Sequence, residues 1–313
     1  MLRTRLPLLY LSFSVCLLTI AACGDTERGE PVDEIAMTAI AGSQANRVEI
    51  RYEPPKDPEH GQVYEEFKRL RGLEKLQEFL SPFRLPRTLT VMSAGCDGEA
   101  DAFYGDDEIT ICYEYIDEFW KNMPAQTTPG GVAPIDTVFG PLFDTSLHEF
   151  AHALFDMLNL PVFGREEDAA DQVAAYIYLQ LGAAESRRLI MGTVYAYAIE
   201  AMKGELPSSL EEAAEAMKAE RPMSIEEFAG EHGTAAQRAY NLMCMAYGAD
   251  RKVFGDFVEK GFLPRERAEF CHEEYEQVQY AFRALVDPHI DQDLAREVFE
   301  RTWLGGQLIR RPR

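Results

Sequence analysis

Hydrophobic and polar positions change their period about halfway along the chain. Arg47 to Glu53 alternates, which predicts a strand, and Pro54-Pro55-Lys56-Asp57-Pro58 ends it. Val63, Phe67, Leu70, Leu73 and Leu76 recur at helical spacing and predict a helical stretch over 63–80, closed by Pro82 and Pro86. Thr88 to Met92 is short and apolar. Asp101 to Tyr104 and Glu108 to Tyr115 flank Gly105-Asp106-Asp107, a hairpin signal. In the second of these, Ile109, Ile111, Tyr113 and Tyr115 fall on one face and Glu108, Thr110, Cys112 and Glu114 on the other. Residues 122–137, rich in proline and glycine, read as a long loop.

Beyond Asp144 the period is helical. Leu147, Phe150, Ala151, Leu154, Phe155 and Leu158 trace one apolar stripe, ended by Leu160-Pro161. Further helices are predicted over Arg165 to Leu181, Glu185 to Met202, Thr234 to Tyr247 and Pro264 to Leu285. Ser224-Ile225-Glu226-Glu227 has the form of a capping box. The expectation is an α+β fold: a small mixed sheet packed on a predominantly helical domain over 47–303. Within it, 47–137 forms a sheet-rich lobe and 138–303 a helical lobe. Residues 304–313 form a basic tail.

The N-terminus follows another pattern. Arg3 and Arg5 precede an apolar run from Leu6 to Ile20, too short for a comfortable membrane span. Ile20-Ala21-Ala22-Cys23 then resembles a bacterial lipobox. The expectation is a signal peptide over 1–22, lipidation of Cys23 and a flexible tether over 23–46. That places an exported lipoprotein on the periplasmic or cell-surface side of a bacterial membrane. The six cysteines agree with export. Without Cys16 and Cys23 four remain, and three pairings are possible. The short-loop pairing is Cys96–Cys112 with Cys244–Cys271. The net charge of −22 argues against a phosphate-binding surface, so no nucleic-acid partner is expected. It also makes covalent attachment, not charge, the route to a membrane.

The chemistry concentrates in His148-Glu149-Phe150-Ala151-His152. Two histidines four apart on a helix project from nearly the same side, where two ring nitrogens can reach one Zn²⁺. Glu149 is rotated by roughly 100° from His148. That places it beside the metal, where it can take a proton from an attacking water. A catalytic zinc needs a third protein ligand. The next helix offers Glu167, with Glu166 as the alternative, and Asp171 one turn after Glu167 can fix the tautomer of a zinc-bound histidine. Asp156, four residues beyond His152, could orient that ring, or could simply be solvated.

The stretch HEFAHALFDMLNLPVFGREEDAADQ, His148 to Gln172, resembles the bacterial metallopeptidases of the DUF4344 group. Ala102 to Tyr115, Gln237 to Gly248 and Leu263 to Tyr275 also fit that group, and the resemblance runs through most of the chain from about residue 47 on. At a broader level the two acid–histidine clusters resemble the gluzincins. The resemblance implies a zincin-like domain that hydrolyses peptide bonds with Zn²⁺, and a peptide or protein substrate. It also implies a strand ahead of the metal helix that pairs with the substrate backbone, for which Glu108 to Tyr115 is the candidate. A downstream group should stabilise the oxyanion, the candidates being His232, Arg238 and Tyr240. Two competing readings stand beside this one. The first is a catalytically silent, zinc-retaining lipoprotein that binds a protein or peptide partner; the second is a zinc hydrolase of non-peptide amides.

Overall fold

The computed structural model describes residues 47–128, 130–202, 215 and 224–303. The expected signal peptide, tether with Cys23, and basic tail lie outside the described residues. Four short strands form one sheet: β1 (Val48–Tyr52), β2 (Leu89–Ala94), β3 (Ala102–Gly105) and β4 (Glu108–Cys112). Their order is β1-β2-β4-β3, with β1, β2 and β4 parallel and β3 antiparallel to β4. The β3–β4 hairpin turns through Asp106 and Asp107, both left-handed, residues that tolerate this conformation better than most. The Cys96–Cys112 disulfide ties the chain just past β2 to the end of β4.

Between β1 and β2 run α1 (Gly61–Arg69) and α2 (Gly72–Leu80). The expected single stretch over 63–80 is broken because Arg71 takes a left-handed φ of 55°. Gly72 then lies under the Phe67 ring, where a Cβ would come within 1.9 Å of it. The strand expected over Glu108 to Tyr115 stops at Cys112, and α3 (Tyr113–Lys121) follows directly. Tyr113, Ile116 and Trp120 are buried at helical spacing, so Tyr113 is shared by the alternating pattern and the helical one.

The long helix α4 (Asp136–Met157) carries the histidines and starts eight residues before Asp144, beyond which the period reads as helical. Gly140-Pro141 lies within it and does not break it. Here α4 crosses α6 (Ala183–Ala201) at close range. A Cβ on Gly192 would stand 1.9 Å from the Asp136 carbonyl oxygen, and one on Gly140 2.7 Å from that of Leu189. Helix α5 (Glu166–Tyr178) packs beside α4 after a tight connection in which Asn159 and Gly164 take positive φ.

The rest is helical: α7 (Ile225–Ala229), α8 (Ala235–Ala249), α9 (Arg251–Phe254), α10 (Asp256–Glu259), α11 (Arg265–Ala268), α12 (Cys271–Leu285) and α13 (Gln292–Phe299). The stretch expected as one helix from Pro264 to Leu285 is thus two. Cys244 of α8 is bonded to Cys271 at the start of α12. Sheet and helices share one hydrophobic core running from Val48 to Trp303, in which Phe150 of α4 meets Phe83 edge-on. No helix among the described residues is long and apolar enough to cross a membrane.

Candidate metal centre

The middle of α4 is packed so that its histidine side is almost closed. His148 is 3% exposed and Glu149 8%, while His152, one turn on, opens to a cleft of about 1050 Å³. The connection from Leu158 to Arg165 brings the first turn of α5 against this face. His148 Nδ1 faces Asp171 Oδ1 at 2.8 Å, and His152 Nδ1 faces Glu166 Oε1 at 2.8 Å. Each outer nitrogen is therefore held by a carboxylate, which favours the tautomer that leaves the Nε2 lone pair free.

The two Nε2 atoms point at each other and at one acid. They are 3.2 Å apart, and Glu167 Oε2 lies 3.0 Å from His148 Nε2 and 3.4 Å from His152 Nε2. Three lone-pair donors this close repel one another unless a cation or a proton lies between them. Metal–ligand bonds of about 2.0–2.1 Å in a tetrahedral site place donors about 3.3 Å apart, which is the spacing found here. Burial would raise the Glu167 carboxyl, yet His232, His152 and His148 around it hold it below the usual carboxylate range. The donor set, two imidazoles and one carboxylate, thus fits a metal ion such as Zn²⁺. Of the two acids weighed as third ligand, Glu167 faces the inner nitrogens, while Glu166 reaches the outer nitrogen of His152.

Glu149 lies beside this triangle and not in it. Burial pushes its carboxyl up to about 7; Glu167 adds to the rise, and the two histidines and the Tyr104 backbone N–H oppose it. Tyr104 belongs to β3, the edge strand, which lines the cleft. The Cys112 N–H donates to the Asp101 carbonyl, so by alternation Ala102 and Tyr104 turn their backbone groups away from β4. Here the structure corrects the expectation for Glu108 to Tyr115. Glu108–Cys112 is an interior strand, paired on both sides by β2 and β3, and has no free edge to offer a peptide. Of the two edge strands, β1 and β3, it is β3 that borders the cleft.

The downstream candidates separate. His232 reaches the site, with Nε2 2.7 Å from Glu167 Oε2, and burial holds its imidazole below the usual range. Arg238 is committed elsewhere. Its Nε and terminal nitrogen grip both oxygens of Asp171 at 2.9 and 2.6 Å, with the guanidinium 5.1 Å from the Tyr197 ring centre. Tyr240 is half-buried against the core and is not among the side chains lining the cleft. Asp156 takes hydrogen bonds from Tyr104 and Arg87. Behind the site sits a group that sequence reasoning missed. Asp144, one turn before His148, is buried and accepts from Tyr178 and Tyr197 at 2.9 and 3.0 Å. Its spacing from His148 was visible, but nothing in the sequence ties it to Tyr197.

Fold and site together define an α+β protein with a metal-competent centre in the wall of a cleft. A family profile described as "Putative metallopeptidase", DUF4344, matches residues 52–286, and the chain belongs to that family. Neither a curated relative nor a solved structure matches it.

Proposed function

We propose that the protein is a zinc-dependent peptidase working outside the cytoplasm. The observation that carries this is the convergence of His148 Nε2, His152 Nε2 and Glu167 Oε2 within 3.4 Å of one another, with Glu149 beside them. Zinc, when bound, supplies Lewis acidity that polarises a carbonyl and acidifies water. The chain supplies the rest. Asp171 and Glu166 orient the two rings. Glu149, near neutrality by burial, accepts a proton from the attacking water and returns it to the leaving amine. On β3 the Ala102 and Tyr104 N–H groups are taken by Asp101 and Glu149, and their carbonyls offer acceptors along which an extended peptide can lie.

Purified protein should hold one zinc per chain by elemental analysis. It should cleave members of a peptide library, lose cleavage to a chelator and regain it with zinc. Protein that stays metal-free after reconstitution would sink this reading. A library of non-peptide amides run in parallel separates peptide from other amide hydrolysis.

Export and lipid attachment belong to the same proposal. They are supported by the apolar run over 6–20 that ends at Cys23, and by the two disulfides. Cells fed a labelled fatty acid should incorporate it into the wild-type chain and not into Cys23→Ala, which should leave the membrane fraction. An unlabelled wild-type chain contradicts the anchor.

A further inference from the structure

His232 stands against the oxygen of Glu167 that faces the two histidines of α4. Its Nε2 is 2.7 Å from that Oε2, and the ligand-capable atoms of His148, Glu167 and His232 all lie within 4.8 Å of one another. The rings of His148 and His232 are tilted by 32° with centroids 5.6 Å apart. Three imidazole nitrogens, two from α4 and one from a distant loop, thus meet at a single carboxylate oxygen.

The loop is fastened at both ends. Arg165, the residue immediately before α5, donates to the carbonyls of Gly230 and Glu231. The helix that supplies Glu167 therefore also holds the loop that supplies His232. On the other side, Thr234 and Gln237 form a reciprocal capping box that starts α8. His232 differs from His148 in one respect: it is 50% exposed, while His148 is 3%. A ring packed into a helix interface cannot leave, whereas a ring on a loop held by two hydrogen bonds can.

We propose that His232 is a fourth, exchangeable ligand of the metal, carried on a loop that Arg165 latches to α5. This rests on the metal reading of His148, His152 and Glu167. His232 stands within 4.8 Å of the His148 and Glu167 donors; drawn the rest of the way onto the metal, it would make four protein donors and close the shell, as in structural zinc sites. Movement of the loop restores the open position that a substrate needs. The latch then couples occupancy of the cleft to the state of the metal shell.

The test uses the exported chain loaded with an NMR-active cadmium isotope, with its histidine nitrogens isotopically labelled. Three histidines are expected to show one-bond coupling to cadmium, and His232→Ala should lose one of them. Cadmium affinity should then fall by more than about a hundred-fold, beyond the 10–100-fold that loss of an outer hydrogen-bond partner costs. Arg165→Gln should weaken the coupling of His232 and leave those of His148 and His152. Coupling confined to His148 and His152 in the wild type overturns the proposal and leaves the metal centre standing. No coupled histidine at all overturns the metal reading itself. The wild-type spectrum decides alone, so a variant that fails to fold does not blunt the test.

Discussion

Glu149→Gln is expected to keep the metal at wild-type stoichiometry and to lower the peptide-cleavage rate by about a thousand-fold, within the range that general-base removal costs. Glutamine keeps the shape of the side chain and can still accept from the Tyr104 N–H, but it cannot take a proton. Stability should not suffer. The wild-type carboxylate is 8% exposed, and its burial already favours the neutral form, so a neutral amide in its place removes a desolvation cost. Fold, metal and activity are therefore expected to separate cleanly in this one variant. Metal analysis, thermal unfolding and cleavage kinetics on the same preparation check it. Unchanged cleavage excludes Glu149 as the base. Parallel loss of metal would mean that Glu149 belongs to the coordination shell. If wild type and variant alike bind peptides but never cut them, the protein is a zinc-retaining binder.

The parts of this site differ in how far the sequence alone exposed them, and distance along the chain explains the difference. His148, Glu149 and His152 lie within five residues of one helix, so the 3.6-residue period was enough to place them on adjoining faces. Glu167 and Asp171 required only that the next helix fold back, which Asn159 and Gly164 permit through positive φ. The disulfide pairings followed from short loops. Arg238 could be suspected but not assigned, because its contact with Asp171 spans 67 residues. The β3 edge was misjudged for a related reason. Glu108–Cys112 alternates more cleanly than Ala102–Gly105, and clean alternation marks a two-faced strand without saying whether its edge is free. The first turns of α4 lie outside the apolar stripe that marks the helix, and they contain Gly140-Pro141, a pair that more often ends a helix. In the fold the same glycine permits the close crossing with α6 that buries the first turns of the helix.

Arg238→Met is expected to cost about 3 kcal/mol of folding stability, the low end for breaking a buried ion pair by removing one partner. Two acids explain the size. Asp171 and Arg238 each keep only 20% side-chain exposure and share two hydrogen bonds. Asp144 lies close enough for Arg238 to offset part of the rise that burial imposes on its carboxyl. Methionine fills the space over Tyr197 but leaves both carboxyls without their cation. Burial alone would raise Asp171; the His148 hydrogen bond and the Arg238 charge reverse this and hold it at about 2. A depressed carboxyl contributes its stability in full above the unfolded value of about 3.9 and loses it as the pH falls toward 2. Loss of Arg238 should therefore move acid unfolding to higher pH as well as lower the urea midpoint at neutral pH. Asp171→Asn in the same chain should recover part of the loss, because the orphaned charge is gone. Strictly additive effects of the two substitutions would show that Arg238 and Asp171 do not act as a pair. Zinc affinity should fall about ten-fold or more in Arg238→Met, since Asp171 is then free to turn away from His148. If affinity is unchanged while stability drops, Arg238 serves the fold and not the metal centre.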